Sequence, residues 1–142
     1  MQVENILQSK GRTVHTVEAA APLSEAVRVL NANRIGAVVV LNANGKVAGI
    51  LSERDIVRRL DDDPVALLAS PVNRAMTVRV ITTTPQASVA DLMELMTRHR
   101  IRHLPVLDGT ALVGIVSIGD VVKWRMEETL QEAEALKQYI AS

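Results

Sequence analysis

The chain has 142 residues, 16 basic and 16 acidic side chains, no net formal charge and 48% hydrophobic residues. That is the profile of a soluble globular protein with room for one domain or two small units sharing a core. The absence of cysteine excludes disulfides, thiolate metal sites and cysteine nucleophiles. The neutral balance sets up no field for polyanions, and Trp124 and Tyr139 are the only aromatic residues, so the stacking platforms that grip single-stranded nucleic acid are missing.

No apolar run approaches the roughly 20 residues needed to span a bilayer. The opening "MQVENILQSK" lacks the long apolar stretch of a signal peptide. The expectation is a cytoplasmic protein with neither nucleic acid nor membrane as a partner.

In chain order, a short helical turn, "VENIL" (3 to 7), leads into a β-rich stretch, "RTVHTV". An amphipathic helix follows, with Ala26, Val27, Val29 and Leu30 at helical spacing. "AVVVL" is a continuous apolar run of the buried-strand type, and residues 42 to 45 carry turn chemistry. "VAGIL" returns as a strand and runs into Ser52-x-x-Asp55, the start of a second helix.

The same order then repeats. "VNRAM" (72 to 76) answers to "VENIL", and "TVRVIT" to "RTVHTV". Val80 meets Val14, Thr82 meets Thr16, Arg100 meets Arg34, and Ile101 meets Ile35. Leu92, Met93, Leu95 and Met96 form the matching helix face, "HLPVL" and "LVGIV" the matching strands, and Ser117-x-x-Asp120 the matching helix start. The boundaries read as a first repeat over 1–60, a connector over 61–71, a second repeat over 72–126 and a C-terminal helix over 127–142. A unit this small buries too little surface alone, so the two are expected to pack through their sheets. The last helix, from about residue 121 to 139, carries Leu130, Ala133, Leu136, Lys137 and Ile140 near one stripe. Such a stripe points to a homodimer.

"GILSERD" (49 to 55) and "GIVSIGD" (114 to 120) pose the chemical question. Ser-x-x-Asp ahead of an apolar helix is a capping box, and Ser88-x-x-Asp91 has the same spacing with only that role. Three features favour a ligand as well. Gly49 and Gly114 lie inside strands, where a glycine suits a close approach to the backbone. Each aspartate follows a strand end, where open α/β sheets place ligands and an acid takes ribose hydroxyls. The cluster "RHRIRHLPV" (98 to 106) supplies a basic edge for phosphates.

On "GILSERD", "GIVSIGD", "HRIRHLPV" ahead of "LDG", and the spacing of the repeats, the chain resembles the cystathionine-β-synthase (CBS) domain pair over roughly residues 5 to 125. The resemblance implies a fold: α/β (α+β), a tandem pair of β-α-β-β-α repeats related by a pseudo-two-fold axis. It also implies an adenosyl ligand (AMP, ADP, ATP, NAD(H) or S-adenosylmethionine) in clefts between repeats, a sensing role and a disc-shaped dimer. Carried over residue by residue, Asp55 and Asp120 match the ribose-binding acid, and Ser52 and Ser117 its companion hydroxyl. Thr16, Val17, Thr82 and Thr83 match first-strand positions that meet the adenine. Ile35, Gly36 and Ala37, with Arg102, His103, Leu104 and Pro105, match the strand entries lining the cleft. Arg102 and His103 match phosphate-reaching positions, and Arg54 sits where a cation can do the same.

The copies are unequal: Gly36-Ala37 stands opposite Arg102-His103, and Glu53-Arg54 opposite Ile118-Gly119. The resemblance therefore implies one cleft or two, equivalent or not. The three cationic side chains favour a phosphate-bearing ligand over S-adenosylmethionine, and the resemblance puts AMP or NAD(H) ahead of ATP or ADP. Elsewhere, His99 and His103 lose metal spacing because Pro105 forces a strand, and "NANGK" lacks the Walker pattern. With no nucleophile–base order or close carboxylate pair, the reading is a sensor and not an enzyme. Its downstream protein partner is not named by anything in the chain.

Overall fold

The computed structural model describes residues 1–141. Its elements run α1 (Val3–Lys10), β1 (Thr16–Glu18), α2 (Leu23–Asn33), β2 (Ala37–Leu41), β3 (Val47–Ser52), α3 (Glu53–Val57), α4 (Pro64–Ala69), a 3₁₀ turn (Val72–Arg74), α5 (Val89–His99), β4 (His103–Asp108), β5 (Ala111–Ser117) and α6 (Ile118–Ala141). The strands form one sheet in the order β1-β2-β3 and a second of β4-β5. β1 lies parallel to β2, and each β-hairpin is antiparallel.

The second copy of the first strand departs from expectation. From "TVRVIT" to Thr83 there is no strand, only two isolated bridges, Thr77 antiparallel to Ile50 and Thr83 parallel to Val106. The Thr83 N–H donates to the Pro105 carbonyl at 3.0 Å, and the Leu107 N–H donates to the Thr83 carbonyl at 2.9 Å. Thr84-Pro85 directly follows, and a proline disfavours the regular ladder on its own strand. The connector is also more structured than a linker. Asp63 caps α4 by accepting the Ala66 N–H at 3.2 Å, Pro64 takes the first helical turn, and Leu67 packs on the first core.

Each repeat's leading segment is built into the other repeat. Val3, Ile6 and Leu7 of α1 lie in the second core, with Leu92, Met96, Leu104, Val106, Val116 and Val121. Val72 and Ala75 lie in the first, with Leu23, Ala26, Leu30, Val38, Val40 and Leu51. Backbone bonds fasten both exchanges. The Val3 N–H donates to the Ala87 carbonyl at 2.9 Å and the Val89 N–H to the Met1 carbonyl at 3.1 Å, while the Val72 N–H donates to the Ala21 carbonyl at 2.8 Å and the Leu23 N–H to the Ser70 carbonyl at 2.8 Å. Val3, Ile6 and Leu7 are at most 3% exposed. Burying three such side chains contributes on the order of 5–9 kcal/mol, a large part of a small domain's net stability.

The exchange explains the two strand glycines, and here the ligand reading of Gly49 and Gly114 is corrected. A Cβ on Gly49 would stand 2.6 Å from Met76 Sδ and 2.8 Å from the Thr77 carbonyl oxygen; one on Gly114 would stand 2.6 Å from Leu7 Cδ2. Met76 and Leu7 occupy matching places in the two leading segments. The close approach is made by the chain's own exchanged segment, not by a ligand.

Both amphipathic helices end on a left-handed arginine, Arg34 at φ 52° and Arg100 at φ 53°. The next N–H then reaches back into the helix, Ile35 to the Leu30 carbonyl and Ile101 to the Met96 carbonyl, each at 3.1 Å. These caps turn the chain into β2 and β4.

Gly49→Ala is expected to destabilise the protein by about 1–3 kcal/mol, because the added methyl meets backbone as well as Met76. Gly114→Ala, which meets only the Leu7 side chain, is expected to cost less. Urea denaturation of both variants checks the order.

Candidate functional site

β3 and β5 each deliver a Ser-x-x-Asp onto the start of a helix, and both capping boxes are formed. Ser52 Oγ accepts the Asp55 N–H at 3.3 Å, while Asp55 Oδ2 accepts the Ser52 N–H at 3.0 Å and the Ser52 hydroxyl at 3.1 Å. In the second copy the corresponding distances are 3.3, 2.9 and 3.0 Å. Ser88 does the same for α5, accepting the Asp91 N–H at 3.0 Å. Capping is therefore real at all three places. A carboxylate, however, offers about four acceptor positions on two oxygens. Asp55 caps with Oδ2, and its Oδ1 accepts from Thr77 Oγ at a long 3.3 Å.

Asp55 also borders a cavity of about 470 Å³, inside the range of small-molecule sites. The first repeat contributes Gly36, Ala37, Ile50, Ser52, Glu53, Arg54, Asp55 and Arg58. The second contributes Thr77, Arg79 and Ile81 from its leading segment, and His99 to His103 from the end of α5 and the start of β4. The exchange puts the leading segment there: Thr77 pairs with Ile50 beside β3, the Ile50 N–H donating to the Thr77 carbonyl at 3.0 Å and the Thr77 N–H to the Ile50 carbonyl at 2.8 Å. Arg54, Arg58, Arg79, Arg100 and Arg102 line the cavity against Glu53 and Asp55 alone. A neutral chain thus concentrates positive charge at one cleft.

The two strand entries meet at its floor. A Cβ on Gly36 would lie 3.4 Å from His103 Cε1, in ordinary contact, which places the imidazole directly beside the first strand entry. Burial lowers the His103 pKa, helped by the charges of Lys10 and Arg102 and opposed by Asp120 and Glu53. His103 is consequently a neutral donor and acceptor at pH 7, within the fields of Lys10, Asp120, Glu53 and Arg102.

Asp120 has a different neighbour. Lys10 Nζ donates to Asp120 Oδ2 at 2.6 Å and to the Ile115 carbonyl at 2.9 Å. Burial acts to raise the Asp120 pKa, but the Lys10 ammonium and the Ser117 donors outweigh it and hold the group below its ordinary value.

Of the residues singled out in the sequence, Gly36, Ala37, Ser52, Arg54, Asp55, Arg102 and His103 come together around this cavity. Ser117 and Asp120 stand apart from its lining with Lys10. Thr16 pairs with Val39 in the sheet and Val17 is buried within it; Thr83 is buried beside β4, bridged to Val106. Leu104 belongs to the second core, Pro105 is buried in β4, and Ile35 is half-buried beside the first core. Sequence reasoning missed Thr77, Arg79, Ile81 and Arg58. Thr77, Arg79 and Ile81 closely follow "VNRAM", but nothing in the sequence says which core that segment enters, so no signal placed them here.

The fold and site define a class: a tandem α/β repeat with a cationic, acid-bearing cleft where the copies meet. The family model for the CBS domain matches residues 6–62 and again 72–127. The chain belongs to the CBS-domain family. It is 32% identical over 146 aligned positions to the mitochondrial CBS domain-containing protein CBSX3 of Arabidopsis thaliana, covering 97% of this chain and 71% of that one. To the CBS domain-containing protein YhcV of Bacillus subtilis it is 33% identical, covering 76% of each. Among solved structures, the CBS-domain containing protein ATU1752 from Agrobacterium tumefaciens superposes with a TM-score of 0.84 at 44% identity, covering 87% of this chain and 92% of that one. The CBS domain pair of protein MJ0100, solved with 5′-methylthioadenosine and S-adenosyl-L-methionine, gives 0.77 at 25% identity, covering 87% and 98%. No described helix is long and apolar enough to cross a membrane.

The lowered His103 pKa has a definite sign. Between its unfolded value near 6.5 and the lower folded value, the unfolded chain holds the extra proton, so stability rises with pH across that interval. Urea midpoints are expected to fall as pH drops from 7.5 through 6.5 and below, and His103→Asn is expected to flatten that part of the profile.

Proposed function

We propose that the chain is a regulatory module that binds an adenine nucleotide in the Asp55 cleft and performs no chemistry on it. One observation carries the reading. A carboxylate with acceptor capacity beyond its cap shares a nucleotide-sized cavity with five arginines. Asp55 takes the ribose hydroxyls, Ser52 orients the carboxylate, and Arg54, Arg79 and Arg102 face the phosphates, for which guanidinium geometry is suited. Ile50, Ile81 and Ile101 supply an apolar wall for the base. The 5′-methylthioadenosine and S-adenosyl-L-methionine bound by MJ0100 support an adenosyl group. The arginines favour AMP, NAD(H), ATP or ADP, since the sulfonium of S-adenosylmethionine would meet like charge.

A ligand gripped by both repeats regulates by binding one of their arrangements better than another, and the reporting surface is α6. Met126, Leu130, Leu136 and Ile140 are each at least 59% exposed along a helix of 24 residues. This face is proposed to join two copies of the chain, and through them a downstream protein.

Asp55→Ala removes charge-assisted bonds of roughly 1.5–3 kcal/mol each. It is expected to weaken AMP binding by about a hundredfold in calorimetry while leaving the fold intact; unchanged affinity would overturn the assignment. A thermal-shift screen with AMP, ATP, NAD, NADH and S-adenosylmethionine is expected to raise the melting temperature with the phosphate-bearing ligands. A screen with no shift at all would favour a scaffold with unused clefts. In light scattering, Leu130→Glu is expected to convert dimer to monomer, and a wild-type monomer at high concentration would refute the α6 seam.

A further inference from the structure

The repeats suggest two clefts, but the chain treats its two aspartates differently. Val3 matches Val72, sixty-nine positions on, whereas Val14 matches Val80, sixty-six on. The first leading segment is therefore three residues longer. It forms the eight-residue helix α1, where the second segment makes only a three-residue 3₁₀ turn. The added residues end at Lys10, and its ammonium is anchored twice, on Asp120 Oδ2 and on the carbonyl of Ile115 in the strand that ends beside it. The equivalent position at Asp55 is met by the Thr77 hydroxyl at 3.3 Å and opens into the cavity.

Asp120 Oδ2 already accepts the Ser117 N–H at 2.9 Å and the Ser117 hydroxyl at 3.0 Å. With Lys10 as a third donor that oxygen is saturated. The Asp120 Oδ1 takes no hydrogen bond among the described residues, but a pair of ribose hydroxyls that engages both carboxylate oxygens must displace Lys10 from Oδ2, replacing a cation with a neutral donor. The phosphate side is depleted too. In register with Arg54, Arg79 and Arg102 stand Gly119, Thr13 and Gly36, and the nearby Arg12 guanidinium is held by Glu4.

We infer that Lys10 acts as a built-in plug on the Asp120 cleft, so that each chain takes one nucleotide, at Asp55. This rests on the nucleotide reading of the Asp55 cleft, and the test separates the two. With AMP as the probe, calorimetry on the full chain is expected to give one site for the wild type and none for Asp55→Ala. Lys10→Ala in the Asp55→Ala background is expected to restore one AMP per chain, lost again on adding Asp120→Ala. Lys10→Arg, which keeps the cation, is expected to restore nothing. Should Lys10→Ala fail to fold, Lys10→Ser takes its place.

A wild type with two AMP sites, or Asp55→Ala still binding one that Asp120→Ala removes, overturns the plug and leaves the nucleotide reading standing. A Lys10→Ala, Asp55→Ala protein that binds nothing also overturns it. A wild type that binds nothing while Lys10→Ala binds one AMP at Asp120 keeps the plug and removes the Asp55 reading.

Discussion

Everything in this molecule depends on each repeat completing the other's core. Val3, Ile6 and Leu7 are buried among the second repeat's side chains, and Val72 and Ala75 among the first's. A repeat of some sixty residues buries too small a fraction of its surface to be comfortably stable alone. Exchanging the leading segments supplies the missing apolar contacts. It also fixes the relative position of the copies through backbone hydrogen bonds that cross between them.

The cleft is a by-product of that constraint. To leave the first core after Ala75, the chain passes Gly49 and pairs Thr77 with Ile50, which carries Arg79 and Ile81 past the Ser52–Asp55 cap. The end of α5 then brings Arg100, Arg102 and His103 to the same place. A carboxylate from one copy and cations from the other are neighbours because of how the cores were filled. The strand glycines belong to this packing: Gly49 makes way for Met76 and Gly114 for Leu7, so each leading segment can lie flat on the opposite sheet.

The duplication, the order of elements and the acid-plus-cation composition of the cleft were legible in the sequence, because identities recur at matched places and Ser52, Asp55, Arg102 and His103 are of diagnostic type. The exchange of leading segments was not. "VENIL" and "VNRAM" reveal that they are equivalent but not which core each enters. The second copy's first strand failed to form regularly because tertiary context and Pro85 override the β-propensity of "TVRVIT". The contrast between Asp55 and Asp120 was also hidden. It depends on a lysine more than a hundred residues away in the chain, in a stretch that has no counterpart to compare.

The left-handed arginine closing α5 sets two demands against each other. A non-glycine residue in that region of backbone space holds torsional energy on the order of 1–3 kcal/mol, and glycine there would relax it. Yet Arg100 is one of the cations around the cleft. Position 100 is thus a point where backbone ease calls for glycine while the positive charge lining the cleft comes from arginine.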